Sequence, residues 1–95
     1  MPEAYVVGHL TVKNAHMWEQ YRSKVPQTLE SWDGQLVFRG KQVAAFAGEC
    51  PHSEIVVIRF PSAAAAQAWF ASPAYQALIP IRTQAADVRL ISYEI

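Results

Sequence analysis

Charge is scarce in this 95-residue chain and evenly split, with 17% charged residues and eight basic against eight acidic. No polybasic run or acidic tail is present, so the electrostatic footprint that draws a chain to nucleic acid or an anionic membrane surface is missing. Cysteine is nearly absent. Cys50 stands alone, closes no intrachain disulfide and fits a reducing compartment. No apolar run approaches the roughly 20 residues of a bilayer-spanning helix. The amino-terminal Met1-Pro2-Glu3 also lacks the basic and apolar regions of a secretory leader, so a cytoplasmic protein is expected. Glycine-rich phosphate loops, a nucleophile elbow and a Cys-x-x-Cys pair are missing as well, which removes the support for nucleotide, flavin or dithiol chemistry. Cys50 and His52, one residue apart, supply two metal ligands where zinc takes three or four, and His16 is remote in sequence. No haem-ligand signature appears. Neither a metal nor a cofactor is therefore expected.

What the chain has in quantity is apolar surface, at 52% hydrophobic residues. A chain of this length forms one core, so a single domain over residues 1–95 is expected. Such a small domain buries only about 60–65% of its unfolded surface, which leaves apolar area for a second subunit to cover.

Residues 4–12, AYVVGHLTV, carry apolar side chains on both alternating faces and read as a buried strand. Asn14 then caps an amphipathic helix whose stripe is Met17, Tyr21, Val25 and Leu29, with Pro26 expected to kink or restart it. Asp33-Gly34 ends that segment. A second strand is expected at 35–39, and residues 42–47 read either as its continuation or as a hairpin partner. A polar loop spans 48–53. EIVVIRF at 54–60 is the strongest strand. Ser62 caps an alanine-rich helix, and Ser72-Pro73 caps a short one expected over 74–79, ended by Pro80, with 81–86 as a connector. Residues 87–95 alternate again as the last strand.

The order β-α-β-β-α-β predicts an α+β, ferredoxin-like fold, a four-stranded antiparallel sheet with its helices on one face. The helix-free face is apolar too. A second copy packed against it as a homodimer, a dimeric α/β barrel, is the simplest cover.

The run from residue 60 to 82 resembles a particular bacterial family. Phe60-Pro61-Ser62, Ala68-Trp69, Ser72-Pro73-x-Tyr75 and Leu78-x-Pro80-x-Arg82 are similar to the signature of domain-of-unknown-function family 1330, in the dimeric α/β-barrel superfamily. The likeness extends upstream through residues 5–12, Tyr21-Arg22, Val25-Pro26 and Arg39-Gly40. It departs where Arg59 replaces a frequent acidic residue and Phe70 an aromatic hydroxyl, so no carboxylate role carries over. The resemblance implies a homodimeric ferredoxin-like barrel. The family has no established reaction, and the wider superfamily spans cofactor-free monooxygenases, lactone isomerases, haem-degrading enzymes and stress proteins.

The residues most suited to a small-molecule site are Arg82, Tyr75, Trp69, Ser72 and Arg39. Arg82 can hold a carboxylate in bidentate fashion, or serve as a loop staple. Trp69 and Tyr75 offer an aromatic wall, or plain core packing. Ser72 adds a hydroxyl, already engaged as a helix cap. Arg39 reaches a cleft mouth or water. His9, among apolar neighbours on the first strand, is the candidate general base, with a satisfied structural histidine as the rival reading. Tyr21 is explained by packing. The function expected is binding of a small anionic or aromatic metabolite in a cleft between helices and sheet, with cofactor-free isomerase- or monooxygenase-like acid–base chemistry. A non-catalytic structural or stress-related dimer is the alternative.

Overall fold

Asn14 opens the helical layer by accepting a hydrogen bond from the Met17 backbone N–H at 3.0 Å, which fills one of the unpaired donors of a helix start. In the computed structural model, which describes residues 2–95, the chain runs β1 (Ala4–Val12), α1 (Ala15–Leu29), a 3-10 turn (Glu30–Trp32), β2 (Gln35–Lys41) and β3 (Glu54–Phe60). It continues through α2 (Ala63–Ala71), α3 (Pro73–Gln76), α4 (Ile79–Ala85) and β4 (Ala86–Glu94). The strands lie in the order β2-β3-β1-β4 with every neighbouring pair antiparallel. This is the ferredoxin-like sheet expected from the element order.

Strand alternation divides the sheet cleanly. Val6 and Leu10 of β1 and Val56, Ile58 and Phe60 of β3 enter the core with Trp18, Tyr21, Val25 and Leu29 of α1 and Trp69 of α2. The opposite face has no helix. A row of Phe38, Val57, Val7 and Ile91 crosses all four strands there, and Phe38 and Ile91 are half exposed. Gly8 lies on the crowded helix side of β1. A Cβ there would stand 2.7 Å from Val56 Cγ1 and 3.0 Å from Leu90 Cδ2, so the side chains flanking β1 pack where a methyl group would go.

Four expectations are corrected. Helix α1 continues through Pro26 without the restart allowed for there, because the proline is exposed while Val25, Thr28 and Leu29 around it are buried and hold the helix to the sheet. Its inner stripe is rotated so that Trp18 and Thr28 are buried and Met17 is only half covered. Residues 42–47 form no strand. They belong to a loop pinched at its base by the Gln42 N–H donating to the Ser53 carbonyl at 2.7 Å, and its Val43 and Phe46 lie open to solvent. Pro80 begins a helix instead of ending one. It sits in the first turn of α4, where a missing N–H costs nothing, so residues 81–85 are helical and Arg82 projects from a helix. No helix of the described residues is long and apolar enough to cross a membrane.

Candidate functional site

Two serine caps fix the aromatic part of the site. Ser62 accepts from the Ala65 N–H at 3.0 Å and starts α2, which carries Trp69. Ser72 accepts from the Tyr75 N–H at 3.3 Å while donating to the Trp69 carbonyl at 2.6 Å, so it closes α2 and opens α3 together. The ring of Tyr75 is thereby pressed within 4.3 Å of the Trp69 ring, centroid to centroid. Both are sealed, at 0% and 1% exposure. Trp69 donates its indole N–H to Thr28 Oγ1 at 2.9 Å, and the Thr28 hydroxyl donates to the Val25 carbonyl at 2.7 Å. The polar atoms of Trp69 and Ser72 are thus committed to holding the helices together.

Tyr75 is different. Its hydroxyl lies 2.8 Å from that of Tyr21 on α1, and Arg82 Nη1 donates to it at 2.9 Å from α4. The structure brings Tyr75 and Arg82 together as polar partners and adds Tyr21, which sequence reasoning assigned to packing. The signal available was the position of Tyr21 one turn after Trp18 on the buried stripe, which places a phenol inside the helix layer. Burial, first of all, raises the Tyr21 pKa well above its ordinary value; Tyr75 pushes the same way, while the charges of Arg82 and Arg39 oppose them. The phenol stays protonated at neutral pH.

Arg39 enters from the other side of the helix layer. It stands opposite Val56 in the sheet register and so shares the helix-facing side. It borders a cavity of about 210 Å³ with Leu10, Trp18, Arg22, Lys41 and Glu54. The residue is exposed overall, yet withdrawal of its guanidinium from water, followed by the charge of Arg22, lowers its pKa. Arg22 itself pairs with Glu19. Among the described residues neither Arg39 nor Arg82 has a carboxylate within 4.0 Å. Trp18 joins this cavity to the hydroxyl pair, since its ring packs 5.1 Å from that of Tyr21.

His9 is carried to the helix-free face, where it opposes Ile55 and Arg89. Its Nδ1 lies 3.9 Å from Cys50 Sγ, beside a separate cavity of about 350 Å³ under the 42–53 loop. Strand alternation keeps it away from Arg82. Trp69 lines a third, apolar cavity of about 280 Å³ with Val6, Phe70 and Leu90. Among the described residues no three His, Cys, Asp or Glu side chains converge as a metal site.

The fold and these groups define a class: a small α+β protein with a ferredoxin-like sheet and a cationic, aromatic-walled cleft beneath its first helix. Residues 3–94 match the family described as domain of unknown function DUF1330, and the chain belongs to that family. None of the curated proteins matches it. Among solved structures it is similar to RPA0582 of Rhodopseudomonas palustris, a protein of unknown function, at 20% identity and a TM-score of 0.78 over 97% of this chain and 81% of that one. It is also similar to SnoaB of Streptomyces nogalater, a cofactor-independent oxygenase, at 13% identity and a TM-score of 0.71 over 98% and 92%. A dimeric ferredoxin-like protein of unknown function from Thermobifida fusca aligns at 10% identity with a TM-score of 0.65 over 99% and 92%. At these identities the likeness is one of fold.

Proposed function

We propose that the protein, a single domain acting as a homodimer, binds a small anionic or aromatic metabolite in the cleft between α1 and the edge formed by β2 and β3. The observation that carries this reading is the cavity that Arg39 borders with Arg22, Lys41 and Trp18, Arg39 having no carboxylate within 4.0 Å among the described residues. A guanidinium without a carboxylate partner can take an anion in its forked geometry, beside the aromatic face of Trp18. Leu10 and Trp18 supply the apolar surface and Arg39 the charge. The likeness to a cofactor-independent oxygenase supports cofactor-free acid–base chemistry as the activity to assay first. The dimer reading is supported by the Phe38, Val57, Val7 and Ile91 row and by the Thermobifida fusca protein's description as dimeric.

A second reading, a non-catalytic dimeric module, is favoured by one observation. Ser72, Trp69, Tyr75 and Arg82 all bond to groups within the chain, as side chains that only complete a fold would do. Thermal-shift screening against small carboxylates and aromatic acids separates the two readings. Saturation at a hundredfold excess over Kd adds about 2.7 kcal/mol, several degrees of Tm for a domain of this size. A hit whose shift disappears in Arg39→Ala and shrinks in Arg82→Ala supports the cleft. No hit across the library supports the module.

A further inference from the structure

The hydroxyl cluster leaves one O–H hydrogen without a partner among the described residues. Tyr75 Oη accepts a hydrogen bond from Arg82 Nη1 and shares one bond with Tyr21 Oη. Two phenols carry two O–H hydrogens, and the bond between them uses one. Among the described residues no other acceptor reaches either oxygen, so one O–H is left over whichever phenol donates. Both side chains are deeply buried, Tyr21 at 7% and Tyr75 at 0% exposure, where an unmatched donor is expensive. When Tyr75 accepts from Arg82 and donates onward, the chain runs Arg82 to Tyr75 to Tyr21, and the spare hydrogen sits on Tyr21. Tyr21 is flanked on α1 by Trp18 and Arg22, and both line the cleft that Arg39 borders.

We infer that the Tyr21–Tyr75–Arg82 chain is an oxyanion receptor, and that the ligand of the neighbouring cleft presents a phenolate or enolate oxygen to the spare tyrosine hydrogen. The inference rests on the cleft reading above and specifies its ligand class. One donor hydrogen suits one oxygen atom. A carboxylate has two, which match the forked guanidinium of Arg39 instead. The receptor adds no charge of its own at the hydroxyl, and the Arg82 guanidinium stands behind it at 2.9 Å from Tyr75 Oη. Trp18 supplies a face for the ring or conjugated system that bears the oxygen.

Two probes of similar ring and shape test this, 4-nitrophenolate at pH 8.5 and 4-nitrobenzoate, each titrated into the whole protein. The wild-type protein should bind 4-nitrophenolate and move its visible band to shorter wavelength, as a donor on the oxyanion requires. Tyr21→Phe/Tyr75→Phe, which keeps both rings, should weaken 4-nitrophenolate about tenfold or more and abolish the band shift. The same variant should leave 4-nitrobenzoate within about twofold, and Arg39→Ala should weaken both probes. Should the double variant not fold, Tyr21→Phe alone should cost 4-nitrophenolate at least about threefold, judged against an unchanged melting profile. Unaltered 4-nitrophenolate affinity and band position in the phenylalanine variants would overturn the receptor while leaving the cleft reading intact. Failure of wild type to bind either probe would overturn both.

Discussion

At the scale of single residues, the helix layer is organised by two buried polar links with different consequences. The Trp69–Thr28 link is saturated, since the indole donates to a hydroxyl that itself donates onward. Thr28→Val therefore leaves a buried N–H unmatched and should cost about 1–3 kcal/mol of stability in denaturant unfolding, without changing ligand affinity. Tyr21 gives a pH signature. Its folded-state pKa lies above the ordinary 10.0, so its contribution to stability is complete below that value and is lost as pH rises through it toward the folded value. Urea midpoints measured upward from pH 9.5 should fall more steeply for the wild type than for Tyr21→Phe. Parallel slopes would show that the phenol ionises no harder in the fold than in the unfolded chain. Ser72, a candidate for ligand contact by sequence, is bonded to Trp69 and Tyr75. Its replacement by alanine should cost about 1 kcal/mol as a lost cap.

At the scale of elements, the strands and the two serine-capped helices were readable because their signals are local. Alternation, β-branching and an N-cap act over a few residues. What escaped was decided by tertiary context. Pro26 removes a backbone donor in any helix, but whether the helix breaks depends on what its other face is packed against, and Val25, Thr28 and Leu29 are buried. Pro80 fits the end of one helix or the first turn of the next equally well, and the packing of α4 on α1 and β4 settles it. The site was legible to the same degree. Arg82 and Tyr75, seven residues apart, could be paired from the chain. Tyr21 is distant in sequence and meets Tyr75 only because the fold stacks α1 beside α3. His9 looked buried in the sequence, and parity along β1 sends it to the face away from Arg82. The same sheet yields a packing prediction. Gly8→Ala places a methyl 2.7 Å from Val56 Cγ1 and should destabilise the fold by about 1–3 kcal/mol through overpacking.

For the whole molecule, two surfaces compete for attention, one under the helices and one across the bare sheet. The bare sheet presents Phe38, Val7 and Ile91 in a single row with Val57, and a second copy would bury it. Val7→Arg places a charge at the centre of that row. It should shift the mass measured by light scattering from dimer to monomer at micromolar concentration; an unchanged dimer mass would move the interface elsewhere. The cleft under the helices is where a ligand should bind, as calorimetric titration of a small aromatic acid identified by thermal shift will measure. The wild-type protein should bind one equivalent per chain, with affinity reduced about tenfold or more in Arg39→Ala at unchanged fold. Equal affinity in the wild type and Arg39→Ala would contradict it.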